Sequence, residues 1–320
     1  MKGIRWALAV AVTLSLAAGK SEAEQRRRVT RVKGTIGLSV LTLTNPFFIT
    51  IADSMKAEAR KHGYRVIVTS GEFDVARQQN QVKDFIVKNV AAIVLCPCDS
   101  KAIGPAIQEA NEAGIPVFTA DIACLARGAK VVSHIATDNY GGGKLAAEAI
   151  VEALGGKGDV AIIDHPVVES VILRTKGFRK RLGELNKKPG VNIKIVAQLP
   201  GGGVRDKSFK TTQDIIQAHP DLAGIFAIND PSALGARAAL EKAGKADQIV
   251  IVGFDGQPEG KRAIKKGEIY ADPIQFPDQI AVKTVQTIVK YFEGEEVPPQ
   301  ILIPTALYRK ADAEKDPTLK

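Results

Sequence analysis

Short runs rich in valine and isoleucine alternate with longer amphipathic segments along most of the chain. The first four runs are Gly34–Leu41, Tyr64–Ser70, Ala91–Cys96 and Ile115–Ala120, and the segments between them are about Ile49–Lys61, Val75–Lys88 and Ala102–Ala113. Strands that are apolar almost throughout and are separated by helices belong to parallel sheets covered on both faces. The alternation therefore predicts an α/β fold built on doubly wound, Rossmann-like parallel sheets.

The alternation starts again after one further apolar run, Val131–Ala136. A helix is predicted to begin near Tyr140. The later strands are predicted at Val160–Ile163, Ile193–Ala197, Ala223–Ile228 and Ile249–Phe254, with helices at about Val171–Leu185, Lys207–Ala218, Ser232–Ala243 and Glu259–Lys266. The chain thus divides near residues 136–138 into two α/β halves of similar size.

The end of the chain does not fit within the second half. One helix, about Asp278–Tyr291, and one extended stretch, Gln300–Leu307, remain after it. A chain that returns to its first half crosses between the domains several times, and such crossings form a hinge. We therefore predict an N-terminal lobe of residues 34–136 plus 276–305 and a C-terminal lobe of residues 137–275 plus 306–320.

The first 23 residues have the pattern of a cleaved secretory signal peptide. Lys2 and Arg5 precede the uncharged stretch Trp6–Gly19, and Ser21-Glu22-Ala23 offers a small-x-small cleavage site. The uncharged stretch is too short to span a bilayer comfortably. We expect an exported protein that is periplasmic or extracellular.

Residues 24–33 form a basic leader ahead of the first strand. The formal charge of the whole chain is +9. Removal of residues 1–23 takes away three cations and one anion, so the mature chain is nearer +7. Much of the excess positive charge lies in the leader. Because an exported protein does not meet nucleic acid, we expect the leader to be a solvated segment and expect no nucleic-acid partner.

The three cysteines are Cys96, Cys98 and Cys124. An odd number leaves at least one thiol free, and a bridge from Cys96 or Cys98 to Cys124 is compatible with the predicted strands. Because no histidines lie nearby at ligand spacing, we expect no metal site. No cofactor is expected either.

Polar and aromatic residues follow the carboxyl ends of strand after strand. The candidate ligand-binding residues are Asn45, Phe47, Phe48, Asp121, Arg174, Asn229, Asp255 and Gln275. Single Asp and Asn residues at such places are commonly helix caps, and single Phe residues are commonly core. Together they supply carboxylates, a guanidinium, amides and two rings, which suit the hydroxyl groups and C–H faces of a sugar or polyol.

Enzymatic sites are not well supported. Asp121 and Asp255 could form a glycosidase pair, but each lies in a different half and is expected to be paired with donors. The chain has no Gly-x-Ser-x-Gly elbow, and Gly141-Gly142-Gly143-Lys144 lacks the Walker spacing. His165 stands at a strand end and is interpreted as a satisfied surface or loop histidine. We therefore expect that the protein is not an enzyme.

Several segments in a fixed order resemble the ribose-type periplasmic sugar-binding proteins of ABC transporters, which have the type 1 periplasmic binding fold. The segments are Thr44-Asn45-Pro46-Phe47-Phe48, Val132–Asn139, Arg174-Thr175-Lys176-Gly177-Phe178, His219-Pro220-Asp221, Asn229-Asp230, Val252-Gly253-Phe254-Asp255-Gly256 and Gln275-Phe276-Pro277-Asp278-Gln279. The resemblance covers nearly the whole mature chain. It implies that the eight candidate residues line a cleft between two lobes, that the cleft closes on sugar, and that permease subunits recognise the closed form.

Three positions depart from the ribose binders that the chain resembles. Cys96 stands where they carry Asn, Ile122 where they carry Arg, and Gly203 where they place a third aromatic ring. We expect these positions to line the pocket and to decide which sugar is bound. Loss of a partner for a sugar hydroxyl costs about 1–3 kcal/mol, which is enough to change specificity.

The sequence thus predicts a monomeric, exported solute-binding protein that delivers a sugar or polyol to the permease subunits of an ABC transporter. The alternative is a sensor subunit of the same fold, whose closure is read by a chemoreceptor or histidine kinase. A LacI-like repressor shares the fold but requires an N-terminal helix-turn-helix, and residues 1–33 do not resemble one.

Overall fold

A computed structural model of the chain describes residues 33–319. The predicted signal peptide and all of the basic leader except Lys33 lie outside the described residues. Within the described part, no helix combines the length and the apolarity needed to cross a membrane.

The described chain alternates strands and helices from its start. The elements up to the midpoint are β1 (Gly34–Val40), α1 (Pro46–Lys61), β2 (Tyr64–Ser70), α2 (Val75–Val87), β3 (Ala92–Leu95), α3 (Gly104–Glu112), β4 (Val117–Ala120) and β5 (His134–Thr137). The next are α4 (Asn139–Ala153), β6 (Lys157–Asp164), α5 (Glu169–Leu185), β7 (Asn192–Pro200), α6 (Arg205–Ala218), β8 (Leu222–Ala227), α7 (Asp230–Lys242), β9 (Val250–Val252) and α8 (Pro258–Lys266). The last are β10 (Ala271–Ile274), α9 (Pro277–Phe292), β11 (Gln300–Ile303), β12 (Ala306–Arg309), α10 (Lys310–Lys315) and a 3₁₀ turn at Pro317–Leu319.

The strands form two six-stranded sheets. The first has the order β11-β5-β4-β3-β1-β2 and is parallel throughout. The second has the order β12-β10-β9-β8-β6-β7, and only its edge strand β12 runs antiparallel to its neighbour. Two separate sheets that are parallel except for one edge strand, with helices between most successive strands, agree with the architecture that the hydrophobic alternation predicts.

Alternate residues of the central strands enter different hydrophobic clusters, because successive side chains of a strand point to opposite faces. In β3, Val94 packs in one cluster, whereas Ile93 and Leu95 pack in another with residues of α2 and α3. In β6, Ile162 and Ala161 are divided in the same way. Helices therefore cover both faces of each sheet, and the carboxyl ends of the strands are left for the loops that build the site.

Three connections within residues 33–319 join the two sheets: β5 to α4, β10 to α9, and β11 to β12. The predicted extended stretch Gln300–Leu307 is therefore two strands in different sheets. Pro304 separates the two strands, because proline has no N–H group to donate to a strand ladder. The hydroxyl of the next residue, Thr305, donates a hydrogen bond to the carbonyl of Ile274 (2.6 Å) on the adjacent crossing. The sequence interpretation also missed β10, which contains Pro273, and the short helix α10.

Helices α4 and α5 approach so closely that a glycine is required at the contact. A Cβ atom added at Gly143 would lie 2.0 Å from the carbonyl oxygen of Arg174 and 2.9 Å from the amide nitrogen of Phe178. We expect Gly143→Ala to force the helices apart and to destabilise the protein by ~1–3 kcal/mol, the usual cost of overpacking. Chemical denaturation would measure this loss.

Gly183 on the same helix α5 provides the matched control for that prediction. A Cβ atom at Gly183 would have no neighbour within 4 Å. Gly183→Ala should therefore stabilise the protein by up to ~1 kcal/mol through helix propensity. Equal effects of the two substitutions would show that the close approach at Gly143 does not matter.

Candidate functional site

A cavity lies between the two sheets at the carboxyl ends of their strands. Its empty volume is about 440 Å³, a figure that includes its opening to solvent. Both halves of the chain line it. The lining residues are Leu41, Asn45, Phe47, Phe48, Phe73, Asp121, Ile122, His165, Val168, Ser170, Val171, Arg174, Gly203, Ile228, Asn229, Asp255 and Gln275.

All eight residues predicted to bind ligand line this cavity, and so do Ile122 and Gly203. Cys96 does not. It continues the alternation of Ala92 and Val94, so its side chain is fully buried with theirs in the hydrophobic core. Its carbonyl oxygen accepts a hydrogen bond from Gln78 Nε2 (3.0 Å), away from the cavity.

The turn after β1 presents two aromatic rings to the cavity. Asn45 caps α1, since its Oδ1 atom accepts a hydrogen bond from the Phe47 amide (3.0 Å), and Pro46 occupies the first helical position. Phe47 and Phe48 meet edge to face, with their ring centroids 5.2 Å apart. Both rings belong to the hydrophobic core and also line the cavity. A role in the core and a role in ligand binding are therefore compatible for these two residues.

Asp121 carries an unpartnered buried oxygen into the cavity. It follows β4 with a left-handed backbone (φ 64°), and its amide donates to the carbonyl of Ile135 (2.8 Å). Its Oδ1 atom is buried without a hydrogen-bond partner. Burial raises the pKa of Asp121 to about 7; Arg174 opposes this rise, whereas Asp255 and Glu169 add to it. The carboxyl group can therefore accept hydrogen bonds from a bound molecule.

Arg174 is the centre of a buried polar network. Its Nη1 atom donates to Asp255 Oδ1 (3.1 Å) and to the carbonyl of Ile228 (2.7 Å), and its Nε atom donates to Asn139 Oδ1 (2.8 Å). The guanidinium carbon lies 3.9 Å from the centroid of the Phe254 ring, a cation–π distance. These contacts fix the orientation of the guanidinium group without a bound ligand.

Asp255 joins this network to the crossing between the sheets. Gln275 Nε2 donates to Asp255 Oδ1 (2.6 Å), and the Gln275 amide donates to the Asp255 carbonyl (2.8 Å). Burial raises the pKa of Asp255, and the Arg174 charge and the Gln275 hydrogen bond oppose this rise. The Oε1 atom of Gln275 is buried with no partner, so it remains available as an acceptor.

Asn229 and Gly203 close the side of the cavity formed by the second sheet. Asn229 caps α7, because its Oδ1 atom accepts from the Ser232 amide (2.9 Å), and its Nδ2 atom donates to the Gly203 carbonyl (3.0 Å). Gly203 has a left-handed backbone (φ 70°) and places no side chain in the cavity.

His165 was wrongly interpreted from the sequence as a satisfied surface or loop residue. It is half-buried and lines the cavity, and its ring meets the Phe73 ring edge to face, with centroids 6.2 Å apart. Its Nε2 atom is buried without a partner, and burial lowers its pKa. Its position directly after β6 was the one signal that could have indicated this role.

The sequence also missed two residues that support the site without lining it. Asn139 and Phe254 hold the Arg174 side chain; both belong to segments that carry the resemblance to sugar binders, but neither was among the candidate residues. All three cysteines are free thiols, which answers the question of a bridge to Cys124. Within residues 33–319 no group of three or more metal-ligating side chains is placed to hold a metal ion.

A model of the periplasmic binding protein domain matches residues 36–296. The chain belongs to this family. It is 38% identical over 266 residues to the ribose import binding protein RbsB of Escherichia coli (strain K12), with 83% of this chain and 87% of the relative covered. It is 32% identical over 314 residues to the D-apiose import binding protein of Paraburkholderia graminis, with 97% of this chain and 96% of the relative covered.

A solved structure shows the same likeness in three dimensions. An ABC transporter periplasmic solute binding protein from Actinobacillus succinogenes 130z with bound D-allose superposes with a TM-score of 0.80 at 30% identity, covering 89% of this chain and 100% of that chain. These likenesses confirm the predicted family and the type 1 fold. The family consists of binding proteins, which confirms the prediction that the chain is not an enzyme.

Proposed function

We propose that this protein is the solute-binding component of an ABC importer and that it captures a neutral sugar or polyol in the cavity between its domains. The observation that carries the proposal is the set of polar side chains that both domains contribute to one cavity beside two aromatic rings. The named relatives import ribose and D-apiose, and the similar structure holds D-allose. These molecules share vicinal hydroxyl groups and an apolar C–H face.

The cavity matches those two features of a sugar. Asp121 Oδ1 and Gln275 Oε1 are buried acceptors without partners, so each can receive a hydroxyl hydrogen. The Arg174 guanidinium supplies charge-assisted donors to hydroxyl oxygens. The rings of Phe47 and Phe48 offer apolar surface to the C–H face. We propose that these residues, with Asn45, Asn229 and Asp255, are the ligand-binding set.

Ile122 and Gly203 are proposed to set which sugar is bound. Ile122 and Gly203 both line the cavity: Ile122 contributes an apolar side chain next to Asp121 in the sequence, and Gly203 contributes no side chain beside Asn229. A sugar hydroxyl that requires a partner at either place would lose about 1–3 kcal/mol. The preferred ligand should therefore lack a hydroxyl, or carry additional atoms, at those two places.

Capture is proposed to proceed by closure of the two lobes. We infer that residues 34–136 plus 276–305 move as one body and residues 137–275 plus 306–320 as the other, with the three sheet-to-sheet connections as the hinge. Contacts from both lobes to one sugar would shift the equilibrium toward the closed form. An affinity near micromolar, or about −8 kcal/mol, would suit such a capture protein.

The cellular setting follows from the family and remains part of the proposal. Periplasmic location agrees with family membership, and export by a signal peptide over residues 1–23 would place the protein there. We propose that it acts as a monomer and that permease subunits recognise its closed form. The relatives' role in import favours transport over the alternative of a sensor subunit.

A thermal-shift screen of pentoses, hexoses, deoxysugars and polyols tests this function. A sugar at about one hundred times its Kd stabilises a protein by about 2.7 kcal/mol, so we expect at least one compound to raise Tm by ~5–10 °C. Lys56→Ala, on the exposed surface of α1, should shift equally and serves as the control. A folded protein that none of these compounds stabilises would rule out the proposed ligand class.

A further inference from the structure

Ser100 links the two domains through protein atoms alone. It lies in the loop between β3 and α3 of the first domain and is almost fully buried. Its amide donates to the carbonyl of Val167 (3.0 Å), and its Oγ atom accepts from the amide of Glu169 (2.9 Å). Val167 and Glu169 belong to the second domain, where the loop after β6 enters α5. Ser100 does not line the cavity, so these contacts do not involve the proposed ligand-binding residues.

Helix α5 lacks a cap from its own sequence. Its N-cap residue, Val168, has no side chain that can accept a hydrogen bond from the first turn. Helix starts usually receive this bond from a Ser, Thr, Asp or Asn of the same chain segment. Here the acceptor for the Glu169 amide is a serine of the opposite domain. The helix that carries Arg174 is therefore capped across the cleft.

The Glu169 side chain lies at the same contact. It is buried, and its Oε2 atom has no hydrogen-bond partner. Burial raises its pKa, and the charge of Arg174 opposes this rise. The contacts of Ser100 thus bring one loop of the first domain against one helix start of the second.

We propose that Ser100 and Glu169 form an interdomain latch that stabilises the closed form and so positions Arg174 for capture. The latch consists of two hydrogen bonds, from the Ser100 amide to the Val167 carbonyl and from the Glu169 amide to Ser100 Oγ. When the domains separate, the start of α5 loses its acceptor. Because the latch residues do not contact the ligand, weakening the latch should change the Kd of every ligand by the same factor. This inference rests on the proposed function for its link to affinity, but the latch itself can be tested without sugar.

Hydrogen exchange of the ligand-free protein tests the latch directly. Ser100→Ala removes the Oγ acceptor while the Ser100 amide can still bond to Val167. We expect the Glu169 amide, followed in the peptides that contain it, to exchange about fivefold faster, the equivalent of losing a typical helix cap. Ser70→Ala removes a hydroxyl that contacts only Glu72 within the first domain, so exchange at the latch should stay unchanged. Unchanged exchange in Ser100→Ala would overturn the proposal.

Affinities for D-ribose and D-allose, measured by calorimetry, test its consequence. Ser100→Ala should raise both Kd values by about fivefold and leave their ratio unchanged. Ser70→Ala should leave both Kd values unchanged. Unchanged Kd values in Ser100→Ala, or a changed ratio between the sugars, would each contradict the latch. If neither sugar binds the unmodified protein, the choice of ligand fails, and the exchange result still decides the latch.

Discussion

Arg174→Ala is expected to abolish sugar-induced stabilisation of this protein. Arg174 and Asp255 are both buried, and the substitution leaves the Asp255 carboxylate facing the cavity without its cation. Removal of one partner of a buried pair typically costs about 3–5 kcal/mol. The same guanidinium is the proposed donor to sugar hydroxyls, so Kd should rise by more than about 100-fold. Calorimetry with the sugar selected by the thermal-shift screen measures this change.

Two further variants separate binding from folding in this experiment. Arg179→Ala lies on the same helix α5, but its side chain is exposed and bonds to Gln198, so its affinity should be unchanged. The double variant Arg174→Ala with Asp255→Asn removes the unpaired charge and should recover much of the lost folding stability without recovering affinity. If Arg174→Ala bound sugar normally, the proposed binding site would be wrong.

The sequence predicted the edge of the sheets at which the cavity lies, because that prediction requires only the order of the strands and their parallel direction. Asn45, Asp121, Asn229 and Asp255 each follow a strand, and the carboxyl ends of parallel strands share one edge. The expectation that Cys96 lines the pocket came from the resemblance to ribose binders, and it was wrong. A position at the end of a strand does not fix the direction of its side chain, and Cys96 keeps the alternation that carries Val94 into the core.

Residues that act through contacts between distant segments could not be predicted in this way. The guanidinium of Arg174 is held by Asn139 and Phe254, which are 35 and 80 positions away in the sequence. Ser100 caps a helix that begins 69 positions later. Neither hydrophobic periodicity nor local motifs encode such pairs, because both report only the few residues on either side. The packing of the two domains determines them.

The charge balance of the cavity gives the departure at Ile122 a physical meaning. The apolar side chain of Ile122 provides no cation beside Asp121, and Arg174, which opposes its raised pKa, is already bonded to Asp255. Burying a carboxylate without a close partner is unfavourable, so the protein either holds a proton there or accepts hydrogen bonds from a ligand. A buried Asp121 carboxylate therefore lowers the stability of the unliganded fold, which fits its proposed role as an acceptor for the ligand.

Asp121→Asn is accordingly expected to stabilise the sugar-free protein in a pH-dependent manner. The pKa of Asp121 is raised by burial from 3.8 to about 7, so the folded state holds a proton more tightly than the unfolded chain does. The contribution of a neutral Asp121 to stability is complete below about pH 4 and is lost as the pH rises through about 7. Asparagine has no such proton and tolerates the left-handed backbone at this position (φ 64°).

The free energies of unfolding of the two proteins should therefore diverge as the pH rises. They should agree near pH 4, and by pH 8 the variant should be more stable by up to ~4 kcal/mol. Asp272, whose pKa burial raises to about 6, and Asp230 are present in both proteins, so their pH dependence cancels in the difference. Denaturation in urea from pH 4 to pH 8 without sugar measures this difference. Parallel plots of unfolding free energy against pH would show that Asp121 is not the buried acid. Diverging plots, together with weaker sugar binding in Asp121→Asn, would show that this carboxyl group both binds the ligand and destabilises the sugar-free protein.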